Sequence, residues 1–150
     1  KYVNAMVHTH FKLAMLLELE SQRASQQQKR ELKSRVKDSL QRSVDGYAVQ
    51  VQMHPDACGY RAWYALFLYQ QGKNLLGSGF NDQAIGALQE SVDQWNRVIE
   101  STPDEGISWR ALPDVYRSLG QALETAGRAE EAKNAFDMAA MSQQLNELGR

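Results

Sequence analysis

Residues 116–140 read YRSLGQALETAGRAEEAKNAFDMAA, and the small residues in that run carry the argument for the whole chain. Gly120 follows Tyr116 by four residues, and Gly127 stands between two helix-forming runs. Ala132 and Ala139 lie on the second of these runs, with Phe136 between them. Two antiparallel helices come close only where side chains are small, and a helix ending in a left-handed residue ends best on glycine. Gly120, Ala132 and Ala139 supply the close approach, Gly127 the turn, and Leu119, Leu123 and Phe136 the filling. The run predicts a packed helical hairpin.

Working outward, the same periodicity covers the chain. The segment from Tyr2 to about Ser21 places Val3, Met6, Val7, Phe11, Leu13, Ala14 and Leu17 at three- and four-residue steps, with Leu16 and Leu19 widening the apolar face. The polar run SQRASQQQKR then reads as a loop or an exposed helical turn. Leu32, Val36, Leu40, Val44, Tyr47 and Val51 form one stripe on a single long helix, which Pro55 and Gly59 stop. A third helix, from about Arg61 to Leu76, carries the apolar window WYALFLY and is expected to be buried on most sides. After GSGFND, with Asn81 or Asp82 as N-cap, a fourth helix runs from about Asp82 to Ser101 with Ile85, Leu88, Val92, Trp95 and Ile99 aligned. The fifth begins near Ile107 or Ser108, with Pro113 at a first-turn position or a kink, and Gly127 closes it. The last spans about Ala129 to Leu148.

Composition agrees. The 150 residues are 43% hydrophobic and 9% aromatic, with three prolines, enough for one core in one domain. Ala, Leu, Gln, Glu and Arg dominate, which favours helix over strand. The formal net charge of −1 gives no gross attraction to nucleic acid or membrane. Charge is unevenly spread: ten Lys/Arg against six Asp/Glu up to Arg61, then seven against twelve. A basic front and an acidic rear can attract each other within one molecule or between copies. Cys58, the one cysteine, allows no internal disulfide, and with no signal peptide visible the expectation is a cytoplasmic protein. The chain opens inside a helical pattern at Lys1, so a fragment of a longer protein is expected.

From 113 to 146 the chain resembles a tetratricopeptide repeat, on Tyr116, Leu119-Gly120, Leu123, Gly127, Ala132, Phe136 and Ala139. A degenerate copy at 65–98 shows Leu68, Gly72, Leu75, Gly79, Ala84, Leu88 and Ser91 at the same mutual spacings. Gly72 and Gly120 are 48 residues apart rather than the family's 34, the excess falling in a longer fourth helix and the start of the fifth. Residues 1–58 form a further hairpin without these landmarks. A weaker resemblance links the Trp, Gly and Ala spacing to helical tails of bacterial serine/threonine kinases and regulators.

Residues suited to chemistry do not converge. His8 and His10 point about 200° apart on a helix, and no Cys, Asp or Glu completes a metal site with them. Cys58 has no local His or Lys to lower its pKa. Glu18 and Glu20, and Asp104 and Glu105, read as surface and turn charges, and LGSGF is too short for a phosphate loop. The basic segment from Arg23 to Arg42, with Lys33, Lys37, Arg35 and Arg42 flanking the apolar stripe, has no interleaved aromatic on which a base could stack. It reads as a solvated helix whose basic stems cover apolar neighbours. Trp63, Tyr64, Trp95 and Trp109 would line a small-ligand pocket if they gathered, and fill the core otherwise.

The sequence therefore predicts an all-α chain of five to seven helices in antiparallel hairpins. They form one domain over 1–150, with an N-terminal hairpin at 1–58 and tetratricopeptide-like helices at 60–150, which the resemblance implies stack as a short right-handed superhelix or bundle. The resemblance implies a non-catalytic protein-interaction and scaffold module without cofactor or metal, taking a peptide or partner helix on its concave face. Its register puts Tyr69 and Lys73, then Asp114, Arg117 and Gln121, on that face. Tyr69 and Lys73 stand where the family's carboxylate clamp has Lys and Asn, which disfavours chaperone tails. The competing expectations are self-association through the N-terminal helix, or a regulatory or sensor domain attached to a signalling enzyme such as a bacterial kinase. Neither nucleic-acid binding nor membrane insertion is expected.

Overall fold

Ser25 is the N-cap of the first long helix. Its backbone N–H donates to Gln28 Oε1 at 3.0 Å, half of a capping box. The helix that follows, α2, runs Gln26–Met53; it is preceded by a helical stretch at 11–17, here α1. Then come α3 (Cys58–Gly77), α4 (Asn81–Ser101), α5 (Gly106–Thr125) and α6 (Ala129–Leu148). The computed structural model describes residue 9, residues 11–17, 25–102 and 106–148, with the side chains of 106–109 excepted. Among the described residues the architecture is all-α, without a strand. The outer parts of the expected first helix, including Val3, Met6, Val7 and Leu19, lie outside the described residues, as do His8, His10, Glu18, Glu20, Asp104 and Glu105.

Pro55 alone stops α2, because the residue before a proline is driven out of the helical region; His54 adopts φ −134° and ψ 65°. Ala57 N–H returns to His54 O at 3.0 Å, and α3 starts at Cys58, earlier than Arg61. Gly59 is therefore not a turn residue. It sits in the first turn of α3, where its N–H needs no intrahelical partner and a glycine costs little. The guanidinium of Arg61 fastens this corner, donating to Pro55 O at 3.0 Å and to Gln94 Oε1 of α4 at 2.8 Å.

The turns after α3 and α5 are built alike. Gly79 takes φ +82° and Gly127 φ +76°, the left-handed conformation that glycine enters without cost. Phe80 N–H reaches Leu75 O at 3.0 Å and Gly79 N–H reaches Leu76 O at 3.1 Å; Arg128 to Leu123 (2.9 Å) and Gly127 to Glu124 (3.0 Å) repeat the pattern. Both are Schellman turns. Each leads straight into the next helix, Phe80 O accepting from Ala84 N–H and Arg128 O from Ala132 N–H, both at 2.9 Å. Hence the N-cap of α4 is Phe80, not Asn81 or Asp82, and Asp82 instead favours the first turn through its charge.

Inside each pair a glycine admits a large side chain. A Cβ built on Gly120 would stand 2.6 Å from the Phe136 ring, and one on Gly72 would stand 2.6 Å from Leu88 Cγ. The principal core joins α3 to α6 through Ala65, Leu88, Trp95, Val115, Ala122 and Ala132, among others. Ser91 is fully buried there and donates its hydroxyl to Ala65 O at 2.7 Å. Pro113 lies inside α5, beyond its first turn, and is buried, with helix on both sides of it.

Two smaller cores join the front helices. Val44 and Tyr47 of α2 meet Phe67 and Leu68 of α3, with Phe11 packed against them. Ala14 and Leu17 of α1 meet Val36 and Leu40 of α2. The described part of α1 thus packs on both α2 and α3. Leu16, expected to widen the covered face, points outward and is 59% exposed. Among α2 to α6, each helix packs on the next, and α3 on α5 is the one further contact.

Candidate interaction surfaces

The expected face residues fall into two local sets. On α3, Lys73 is exposed and its Nζ stands 5.1 Å from the centroid of the half-buried Tyr69 ring, a cation–π contact. On α5, Arg117 and Asp114 form an ion pair at 2.6 Å, both well exposed, one helical turn above Gln121. Among the described residues no hydrogen bond or ion pair joins the α3 set to the α5 set. The helices that carry the two sets, α3 and α5, touch one another. Exposure is what makes these side chains accessible, and it also means that the ion pair itself contributes little to stability.

Lys73 also borders a cavity of ≈ 310 Å³ where α1, α2 and α3 meet, facing Phe11, Met15 and Lys33. A second cavity, of ≈ 370 Å³, lies between α2, α3 and α4, with Lys37, Gln41, Gln71 and Glu90 on its walls. Gln71 Nε2 donates to Gln41 Oε1 across it at 2.6 Å. The basic residues of α2 are exposed, and Lys37 covers the Phe80 ring at 5.1 Å.

The aromatics divide between cores. Trp63 stacks with Tyr47 and Phe67, at centroid distances of 6.4 and 6.0 Å, whereas Trp95 is buried in the principal core. The Trp109 side chain lies outside the described residues. Burial pushes the Tyr47 phenol above its ordinary pKa, with Tyr60 adding to the shift. Burial also raises Tyr64, helped by the Glu90 and Asp45 carboxylates. Cys58 opens α3, its Sγ 3.9 Å from Asp56 O. Among the described residues no three His, Cys, Asp or Glu side chains gather to hold a metal ion. No described helix is long and apolar enough to cross a membrane.

A further surface matches none of the expected sites. Met138, Met141, Leu145 and Leu148 lie exposed along α6 at steps of three, four and three residues. The signal was present in the sequence as a second apolar stripe beside Ala132, Ala135, Ala139 and Ser142, which face α5. Small residues mark the packed side, and the larger ones stand in solvent.

No family model matches the chain, and no match was found among curated proteins or solved structures.

Proposed function

We propose that the chain is a non-catalytic interaction module of tetratricopeptide type that takes a peptide or a partner helix on the side shared by α3 and α5. The observation that carries this reading is the pattern of helix contacts. α3 touches α5, whereas α4 does not touch α6, so the first helices of the two pairs lie closer together than the second. A stack that is tighter on one side curves toward it, and the inner side is where such solenoids receive extended or helical segments. The repeated Schellman turns and the Gly72–Leu88 and Gly120–Phe136 contacts support reading α3–α4 and α5–α6 as copies of one unit.

Tyr69, Lys73, Asp114, Arg117 and Gln121 would then be the contact residues. Tyr69 offers a rigid aromatic surface, and Arg117 with Asp114 offers a donor and acceptor already oriented by one another. A peptide with a carboxylate near an apolar side chain suits this set. The test is selection of binding peptides from a displayed library, followed by affinity measurement on Tyr69→Ala and Arg117→Glu. Each substitution is expected to weaken binding about tenfold or more, roughly 1.4 kcal/mol. Peptides that bind both variants as well as the parent would remove this face from consideration.

A further inference from the structure

We infer that the outer face of α6 is an interface for a second copy of this chain, docking on that copy's α1–α2 end. On α6 the four exposed apolar side chains span about 15 Å of helix, and among α2 to α6 the helix packs on α5 alone. A stripe of two methionines and two leucines on one face is unusual for a solvated helix and marks a contact surface. The helix that carries it is acidic: Glu130, Glu131, Asp137 and Glu147 against Lys133 alone.

The same chain holds the complement. At the other end of the helix order, Leu13 and Leu16 of α1 are exposed beside the exposed Lys12, and Lys33 of α2 stands with Met15 at the neighbouring cavity. α2 carries six Lys/Arg against three Asp/Glu, so this end is basic. Apolar meets apolar and acid meets base when the α6 end of one copy joins the α1–α2 end of the next. Pairing α6 with α6 would set acidic helix on acidic helix, and pairing the front ends would set basic on basic. Electrostatic complementarity therefore selects the head-to-tail arrangement over either symmetric dimer. A head-to-tail contact is heterologous and extends beyond two copies unless its rotation closes a ring. This surface is distinct from the α3–α5 face and does not depend on it.

The experiment is sedimentation velocity of the 150-residue chain over a concentration series at low and high salt, with two variants. The first, Met141→Glu with Leu145→Glu, blocks the tail; the second, Leu16→Glu, blocks the head. The parent is expected to grow past a dimer with concentration, less so at high salt. Each variant alone should be monomeric at concentrations where the parent associates, and an equal mixture should form a dimer that grows no further. All three positions are about half exposed, and circular dichroism checks that each variant keeps its helix. A parent that stays monomeric throughout, a parent that stops at a dimer, or a variant that still dimerises by itself would overturn the proposal. If one variant fails to fold, the other still decides, since blocking either end alone should leave the chain monomeric where the parent associates.

Discussion

At Gly120 a single hydrogen atom sets how near α5 can lie to α6. Any side chain there meets the Phe136 ring, which is half-buried against the core, so the ring or the helix must give way. Gly120→Leu is expected to cost about 1–3 kcal/mol in urea unfolding by overpacking. The exposed Gly86, inside α4, is the control: a Cβ there meets nothing within 4 Å, so Gly86→Ala is expected to stabilise by about 0.4–1 kcal/mol. Equal effects at the two positions would show that close packing is not what glycine provides. The role of Gly120 was legible in the sequence because it recurs, 48 residues away, at Gly72 with Leu88 in the place of Phe136. Gly59 was misjudged because glycine next to a proline turn looks like part of it. Only the geometry at His54 shows that Pro55 is sufficient.

Among the elements, the pairs α3–α4 and α5–α6 were readable because their packing is written in small residues at fixed steps. The seat of α1 was not. Ala14 and Leu17 reveal that a face is covered, but an apolar stripe carries no label for the helix that covers it. That seat matters for the aromatic group formed by Phe11, Tyr47 and Phe67, where the rings of Phe11 and Phe67 meet edge to face at 4.8 Å. The Tyr47 phenol titrates above its ordinary value in the folded chain, so the unfolded chain loses that proton first. Its contribution to stability is complete below pH about 10 and is lost as pH rises through the folded value. Alkaline unfolding is thus expected to steepen above pH about 10, and less so in Tyr47→Phe, as followed by far-ultraviolet circular dichroism. Identical alkaline profiles for parent and variant would place the cause elsewhere. On the other pair, Leu88→Ala is expected to cost about 2–5 kcal/mol, since the side chain is fully buried and α3 cannot collapse onto the space without moving Gly72.

For the whole molecule, the front cover is the part with the most to lose. Deleting residues 1–21 uncovers Val36, Leu40 and Phe67, and the shortened chain is expected to aggregate or to melt several degrees lower. A monomer of unchanged melting temperature would make α1 a partner-binding arm rather than a cover. The charge division was visible in the sequence, yet what it serves could not be read there, because a balance of +4 and −5 does not say which ends the helices place apart. Neighbour-on-neighbour packing has a kinetic consequence as well. Contacts that join helices adjacent in the chain close short loops, and short loops are closed quickly, so folding should be fast for a protein of this length. Either rear hairpin can form first and serve as the surface on which the next helix condenses. Unfolding can run the same order backwards, so amide hydrogens of α2 should exchange by opening events that leave those of α4 and α5 protected.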